Sequence, residues 1–323
     1  MLTLLRLPRI IEPFPVERSV EQIDSDVGKV SPMIPRSFEY FSPRTLDEAI
    51  ALLQKLGPEA KLLSGGQSLI PMMKLRLVSP EYIVDINRIP NLDYISETDG
   101  HLRIGALTRE HELESSDVVK TKFPILSDTA KVIADPLVRS QATVCGNLAH
   151  GDPANDHPAT MLALGATVVA TGPKGQREIR VEDFFPGLFT TALEPEEILT
   201  EIKIPFPSPR SGGAYLKLER KVGDFATAGV AVQITLDDRG ACKSAGVGLT
   251  NVGMTPIKAT QTESYLAGKQ LDDATIQQAA ELAASESQPM DDIRGSADYK
   301  RDLVRVLTAR ALNTALNRAK GGA

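Results

Sequence analysis

Two short runs of glycine and hydroxyl residues in this 323-residue sequence have the composition of a phosphate-binding site. The first run comprises Ser64, Gly65, Gly66, Gln67 and Ser68. Because glycine adopts positive φ readily, successive backbone N–H groups can converge on an anion, and the two serine hydroxyls add donors. An ordinary turn at the end of a strand has the same composition, so this run alone does not decide a function.

The second run lies far along the chain and comprises Thr143, Val144, Cys145, Gly146 and Asn147. The polar stretch HGDPANDHP follows it, ahead of an apolar segment that is expected to be helical. Together the two runs predict a pyrophosphate clamped from both sides, because two donor-rich turns are more specific than one. The carboxylate of Asp156 is then expected to bind ribose or ribityl hydroxyls.

Other common sites find no support in the sequence. Neither run is a G-x-G-x-x-G that opens a long helix, and no G-x-x-x-x-G-K-[ST] occurs, which disfavours Rossmann and P-loop sites. No serine-histidine-aspartate order or nucleophile elbow stands out, so no catalytic residue is assigned. His150, Asp152, Asp156 and His157 are close in sequence, but we expect no metal site there.

Composition excludes several classes of function. The chain has 36 basic and 42 acidic residues, a formal net charge of −6, which disfavours a nucleic-acid partner. Its two cysteines are too few for a disulfide framework or for an iron–sulfur cluster, which needs about four ligands. No apolar run approaches the roughly 20 residues of a transmembrane helix. We therefore expect a soluble, cytoplasmic protein without a transmembrane segment.

The elements that must carry the two runs can be predicted from local patterns. Thr45 begins a capping signature, and apolar residues then recur at helical spacing until Gly57-Pro58. The runs AKLL and EYIVDI predict strands, which gives a small β-α-β unit. From about residue 94 the patterns HLRIGALT, ATVVATG and EIRVEDFF predict strands and TKFPILSDTAKVIADP predicts a helix, so a second, larger α+β unit is expected.

The stretch PFPSPRSGG, residues 205–213, has the composition of a linker. After it we expect strands in VAVQITLDD and SAGVGLTNV, and then two helices. In the last helix, Leu303, Val306, Ala309 and Leu316 are predicted to form one apolar stripe. The predicted units are therefore residues 1–32, a disordered or non-native extension, residues 33–209, split near residue 90, and residues 210–323.

Three segments in the same order carry a resemblance to a known family: SGGQSLIPMMKLR, TVCGN with GDPANDHPA, and KLERKVGDFATA. They resemble the FAD-binding medium subunit of the molybdenum hydroxylases, the family of xanthine dehydrogenase and aerobic carbon monoxide dehydrogenase, with the greater likeness to the latter branch. The resemblance runs from about Met33 to the C-terminus. It implies an α+β fold: an FAD-binding unit of paired α+β subdomains, of the vanillyl-alcohol oxidase type, and a C-terminal domain of antiparallel strands and helices.

The resemblance also implies roles for individual residues. Both glycine runs would wrap the FAD pyrophosphate, with Asp156 near the FAD hydroxyls. The flavin-ring contacts would fall at Leu193 and in the stretch from Lys217 to Phe225, with Lys221 and Phe225 as the lysine and the aromatic residue. Basic side chains in LKLERK would place positive charge near the ring, although a solvated strand face explains them equally well.

Two residues depart from the family pattern. Phe225 stands where close relatives carry tyrosine, and Cys145 stands where the family commonly has a glycine. If that position required positive φ, a cysteine would disturb the binding geometry. We expect instead that Cys145 contributes its backbone N–H and is not a reactive thiol.

By resemblance, the chain is the FAD-carrying electron-transfer subunit of a multi-subunit oxidoreductase. Its expected partners are a small subunit with iron–sulfur clusters and a large subunit with a molybdopterin cofactor, in a heterotrimer that can dimerise and can associate peripherally with a membrane. Two alternatives stay open: a self-contained FAD oxidoreductase, and a scaffold subunit that has lost its flavin. The substrate of the complex and the external electron acceptor are not specified by the sequence.

Overall fold

A computed structural model describes residues 33–322 of the chain, so the predicted extension over residues 1–32 lies outside the described residues. Within the described range, no helix has both the length and the apolar character needed to cross a membrane. The described residues form three successive units, each with its own sheet.

The first unit is a small β-α-β structure around a parallel sheet of order β1-β3-β2. Its elements are β1 (Glu39–Phe41), α1 (Leu46–Leu56), β2 (Ala60–Leu63), α2 (Leu69–Lys74) and β3 (Tyr82–Asp85). The predicted helix start is confirmed, because the Thr45 hydroxyl accepts the Glu48 N–H at 3.1 Å. Ala49, Ile50 and Leu53 bury one face of α1 against the sheet.

The second unit is larger, and its sheet is antiparallel with the order β4-β5-β8-β6-β7. Its strands are β4 (Ile95–Thr98), β5 (His101–Gly105), β6 (Thr167–Gly172), β7 (Gly175–Arg180) and β8 (Ile198–Pro205). Its helices are α3 (Glu110–Ser115), α4 (Asp117–Lys122), α5 (Pro124–Val132), α6 (Pro136–Arg139), α7 (Val144–His150) and α8 (Asp156–Leu164). The strand predicted over EIRVEDFF ends earlier than expected, at Arg180, and VED forms a turn of 3₁₀ helix.

The third unit has its strands first and its helices last, as predicted, with the sheet order β12-β11-β10-β9. Its strands are β9 (Ser211–Leu218), β10 (Ala228–Leu236), β11 (Cys242–Thr250) and β12 (Ile257–Lys258). Its helices are α9 (Thr260–Leu266), α10 (Asp273–Glu286) and α11 (Ala297–Ala319). All nine residues of α8 are buried, because this helix of the second unit packs against β10 and β11 of the third.

The prediction of a linker over residues 205–213 is wrong at both of its bounds. Strand β8 includes Pro205 and β9 begins at Ser211, so the irregular connection spans residues 206–210. Gly212 belongs to β9, where it pairs with Ile234 of β10, and α11 crosses it so closely that a Cβ there would lie 2.2 Å from the Ala315 carbonyl oxygen. The glycine pair that suggested flexibility therefore serves close packing.

The apolar stripe predicted for the last helix is also wrong in part. Val306 is 36% exposed, and Leu303 and Ala309 are partly buried. The buried face of α11 includes Val304, Leu307, Thr308, Ala311, Leu312, Ala315, Leu316 and Ala319. Repeated steps of three residues rotate around a helix by about 60° each, whereas the packed face follows alternating steps of three and four.

Candidate cofactor-binding site

The structure brings the two glycine runs into direct contact. The hydroxyl oxygens of Ser64 and Thr143 are 3.0 Å apart. A Cβ built on Gly65 would lie 2.5 Å from the carbonyl oxygen of Gln141 and 2.8 Å from the backbone nitrogen of Thr143. The backbones therefore meet where a side chain at position 65 could not fit.

The first run forms a half-buried turn between β2 and α2. Gly66 has a φ of +73°, in the left-handed region that glycine adopts without strain. The Gln67 side chain donates back to the Gly65 carbonyl at 3.3 Å, and Ser68 precedes the first residue of α2 without capping it through its side chain. The hydroxyl of Ser68 is therefore not committed to its own helix.

The second run is the beginning of helix α7 and not the turn that was predicted. Thr143 is the N-cap, and its hydroxyl accepts the Gly146 N–H at 3.2 Å. Gly146 packs closely as well, since a Cβ there would lie 2.5 Å from the Thr143 hydroxyl oxygen and 3.1 Å from that of Ser64. Threonine and glycine are common in turns, but here threonine caps a helix and glycine allows close packing. The turn predicted over residues 143–147 was therefore wrong.

Cys145 lies in the first turn of α7, where the backbone is right-handed helical, so a positive φ is not required of it. Its side chain is 2% exposed and points into the core, where the thiol donates weakly to the carbonyls of Ile104 and Gly105. Burial raises the pKa of the Cys145 thiol well above its ordinary value, and the nearby Glu201 and Glu110 carboxylates add to the effect. A buried thiol with a raised pKa is a poor nucleophile, and Val144 beside it is buried too.

Asn147 follows in the same helix and is tied to the loop after it. Its carbonyl accepts from the Asn155 side chain at 2.8 Å. Its own side-chain oxygen is buried and has no hydrogen-bond partner within residues 33–322. A buried acceptor of this kind costs free energy unless a further group bonds to it.

Asp156 is 5% exposed and lies in a polar network that crosses from the second unit to the third. Its carboxylate accepts from the Tyr215 hydroxyl at 2.5 Å and from the Lys217 ammonium at 2.9 Å. Burial raises the pKa of Asp156, whereas Lys217 and Tyr215 oppose that effect by favouring the carboxylate. Both oxygens are therefore already bonded by protein groups, and a role toward FAD hydroxyls stays a prediction.

The residues expected at the flavin ring occupy two loops. Leu193 is half-buried in the connection before β8, and Lys221 and Phe225 are exposed in the loop between β9 and β10. The Arg294 guanidinium lies 5.8 Å from the Phe225 ring centre and also pairs with Asp224. No described contact joins these three predicted residues to the glycine runs, so their role stays a prediction.

Lys217, rather than Lys221, is the lysine with a defined position. Its side chain is 2% exposed, and its ammonium also donates to the Asp224 carbonyl at 3.1 Å and lies 3.3 Å from Glu219. It thus links Asp156 to the loop that carries Phe225. The predicted stretch from Lys217 to Phe225 included this lysine but not its bond to Asp156. Alternation along β9, which places Tyr215 and Lys217 on the same face, is the sequence signal for that bond.

Two further residues were missed because they lie between the runs in sequence and show no motif. Asn87 donates to the Ser64 carbonyl at 2.8 Å. Arg109 donates to the side-chain oxygen of Asn87 at 2.7 Å and to the Gln141 carbonyl at 2.5 Å. The Arg109 guanidinium therefore connects the first run to the segment that enters the second.

The four residues that lie close in sequence, His150, Asp152, Asp156 and His157, do not contact one another as one group. His150 lies 4.0 Å from Asp152, whereas His157 bonds to Glu110. Within the described part of the chain, no group of three or more histidine, cysteine, aspartate or glutamate residues is arranged to hold a metal ion.

His150 is expected to make the protein sensitive to acid. Burial lowers the pKa of His150 from its ordinary value of 6.5, and Asp152 opposes this only in part. Because the unfolded chain then binds the proton more tightly than the folded chain, the free energy of unfolding falls as pH drops through about 6.5. In urea titrations, we expect the free energy of unfolding to fall less between about pH 7 and pH 5 in His150→Gln than in the parent protein. Equal losses in both proteins would contradict this.

Comparison with known proteins gives matches in both sequence and fold. Residues 36–207 match the family model for the FAD binding domain in molybdopterin dehydrogenase, and residues 213–315 match the CO dehydrogenase flavoprotein C-terminal domain. The chain is 45% identical over 288 residues to the carbon monoxide dehydrogenase medium chain of Afipia carboxidovorans, covering 89% of this chain and 100% of the relative. It is 36% identical to the 6-hydroxypseudooxynicotine dehydrogenase complex subunit alpha of Paenarthrobacter nicotinovorans, covering 89% and 97%.

Among solved structures, the chain superimposes on carbon monoxide dehydrogenase from Hydrogenophaga pseudoflava with a TM-score of 0.86 and 46% identity, covering 88% of this chain and 99% of that one. Family models, sequence relatives and fold agree over nearly the whole described range. The chain therefore belongs to the family of FAD-binding medium subunits of the molybdenum hydroxylases, and its cofactor is FAD.

Proposed function

We propose that this chain holds the FAD pyrophosphate between its two glycine runs and serves as the electron-transfer subunit of a molybdenum-containing hydroxylase or dehydrogenase. The observation that carries the proposal is the contact of the two runs at Gly65, where backbone meets backbone. The half-buried first run would supply most of the donors on the surface beside this contact, because the N–H groups of Val144, Gly146 and Asn147 already bond to protein acceptors. Phosphate oxygens are the acceptors that such a surface favours.

The residues present fit FAD. Gly65, Gly66 and Gly146 lack the side chains that would fill the junction of the two runs. The Ser68 hydroxyl does not cap its own helix, so it can turn toward a phosphate. The buried oxygen of Asn147 needs a donor, which the hydroxyls and the amide N–H of a flavin dinucleotide can provide. No long glycine-rich helix start of the Rossmann type is needed for this arrangement.

Other residues would position the cofactor or border its flavin ring. Lys217 fixes Asp156 and the loop that carries Phe225, so it would keep the sugar-binding and ring-binding parts of the site in register. Leu193, Lys221 and Phe225 would border the ring, with Lys221 supplying positive charge there. FAD, when bound, can accept electrons singly and release them singly or as a pair, and nearby charge tunes its potential.

The partners follow from the relatives. Those relatives are medium chains and subunits of complexes, so we propose that this chain works with an iron–sulfur small subunit and a molybdopterin large subunit. Residues 33–209 would form the FAD-binding unit and residues 210–323 the C-terminal domain. The alternative of a scaffold subunit without flavin would rest on Cys145 in the second run, and the helical backbone and buried thiol of that residue give it no support.

Two measurements test the proposal. The purified full-length chain, mixed with FAD and desalted, should keep a flavin absorption spectrum and release FAD on denaturation. A complex of all three subunits, reduced with dithionite and desalted, should then reduce a tetrazolium dye quickly only when this chain holds FAD. Fast dye reduction by a complex whose medium subunit has been stripped of FAD would contradict the electron-transfer role.

Gly66→Val is expected to prevent FAD retention. Valine is β-branched and strained at a φ of +73°, and its Cβ would lie 2.7 Å from the Ile70 side chain, so the turn of the first run must change. Gly100→Val is the matched control, since Gly100 has a φ of +74° with open space around its Cβ position. Both variants should lose stability, but only Gly66→Val should come off a desalting column without flavin.

A further inference from the structure

Glu110 and His157 form a buried pair that the proposed function leaves unused. Both side chains are 0% exposed, and a carboxylate oxygen of Glu110 lies 2.8 Å from Nε2 of His157. Glu110 is the first residue of α3, and His157 is the second residue of α8. The bond therefore joins the beginnings of two helices that are distant in sequence.

The pair contacts both ends of the segment that contains the second glycine run. At its beginning, the backbone N–H of Glu110 donates to the Ala142 carbonyl at 2.9 Å, and the Val144 N–H donates to the Thr108 carbonyl at 3.1 Å. At its end, the Glu110 carboxylate holds His157, the residue after Asp156. We call residues 142–157 the FAD-binding segment, and its two ends are bridged by Glu110.

The same short stretch also reaches the first run. Arg109, next to Glu110, bonds through Asn87 to the Ser64 carbonyl. Residues 108–110 therefore contact the first run and both ends of the FAD-binding segment. A change in the Glu110 side chain should consequently be transmitted to the junction of the two runs.

The pair is poorly suited to stability alone. The second oxygen of Glu110 and Nδ1 of His157 are buried and have no hydrogen-bond partner among residues 33–322. Apolar side chains of similar shape would pack α3 against α8 without leaving such atoms unbonded, and such replacements are often neutral or stabilising. What an apolar pair would lack is a directional bond of fixed length between the two ends of the segment.

We propose that Glu110 and His157 are a positioning pair, which holds the ends of the FAD-binding segment at the spacing that FAD requires. This inference rests on the proposed function, because the segment must bind FAD for its spacing to matter. Both side chains are fully buried, so we assign neither of them a direct contact with FAD. Their effect on FAD acts through residues 142–147 and Asp156.

The test measures the dissociation constant of FAD from the full-length chain by flavin fluorescence. His157→Asn is too short to reach Glu110, whereas His157→Gln keeps a polar group near the position of Nε2. We expect His157→Asn to weaken FAD binding roughly fivefold to tenfold, the effect of one lost buried hydrogen bond, and His157→Gln to recover most of the affinity. Glu110→Gln should likewise bind nearly as well as the parent.

Thr129→Val is the matched control for loss of stability. The hydroxyls of Thr129 and Thr160 are 2.7 Å apart and fully buried, and they join α5 to the same helix α8. The Thr129 hydroxyl itself makes no hydrogen bond to residues 142–157, so Thr129→Val should lower the unfolding temperature and leave the FAD dissociation constant unchanged. Equal weakening of FAD binding by Thr129→Val and His157→Asn would overturn the positioning role.

Other outcomes separate this inference from the proposed function. If His157→Asn does not fold, the double variant Glu110→Leu/His157→Leu replaces it, because the two leucines make an apolar contact. This double variant should fold but bind FAD as weakly as predicted for His157→Asn. Parent-like affinity in that double variant would overturn the inference while the FAD site stands, provided that Gly65→Ala still loses FAD. A parent chain that binds no FAD would overturn both.

Discussion

Gly65→Ala is expected to abolish FAD retention by the purified chain, with affinity lowered on the order of a hundredfold or more. The new Cβ would lie 2.5 Å from the Gln141 carbonyl oxygen, 2.8 Å from Cα of Ala142 and 2.8 Å from the Thr143 nitrogen. These are backbone atoms, which cannot rotate away as the end of a flexible side chain can. The two glycine runs must therefore separate, which would disrupt the proposed pyrophosphate site between them.

The measurement is the flavin content of the desalted protein, together with the dissociation constant from fluorescence. Gly187→Ala is the matched control, because Gly187 has an ordinary φ and a Cβ there would meet Thr190 at 3.8 Å, an ordinary contact. The control should bind FAD like the parent. Parent-like affinity in Gly65→Ala would mean that the contact between the runs is not needed for FAD binding.

Among the substitutions proposed here, Lys217→Met is expected to lower the free energy of unfolding most, by roughly 3–5 kcal/mol. The side chain of Lys217 is 2% exposed and that of Asp156 is 7% exposed, so the substitution leaves a carboxylate buried without its cation. The Tyr215 hydroxyl continues to donate to Asp156 but cannot balance a charge. Urea unfolding of the full-length chain measures the effect.

The loss in Lys217→Met should also depend on pH. Burial already raises the pKa of Asp156, and Lys217 lowers it, so the variant raises this folded-state pKa further. A carboxyl group whose pKa is higher in the folded than in the unfolded chain destabilises the fold increasingly as pH rises through that interval. The deficit of the variant should therefore be smaller at about pH 5 than at about pH 8.

Two controls isolate the buried charge. Lys300→Met removes a lysine that is 3% exposed and 2.7 Å from Asp292, but Asp292 is 35% exposed and can be solvated, so the loss should be smaller. Asp156→Asn combined with Lys217→Met removes both charges and should recover much of the stability. A Lys217→Met deficit no larger than that of Lys300→Met would contradict this account of the network.

Local patterns predicted most of the elements because their causes are local. The Thr45 cap, the apolar spacing of α1 and its end at Gly57 involve neighbouring residues, and the structure confirms each of them. The strands around AKLL and EYIVDI are likewise confirmed, and they are parallel because a helix connects them. Patterns failed where distant elements set the role of a residue, as at Gly212, which pairs with β10 in a sheet and is crossed closely by α11.

The sequence by itself determined the FAD chemistry, since the two glycine runs and the three segments that resemble the medium-subunit family occur in the chain in the family's order, and the comparisons bear out that membership. Only the tertiary structure decided how the site is assembled. It showed that Gly65 meets the backbone at Gln141, that Asn87 and Arg109 support both runs, and that Cys145 faces the core. The physical reason is that residue types determine which bonds a group can make, whereas the partner that makes them depends on contacts between segments far apart in the chain.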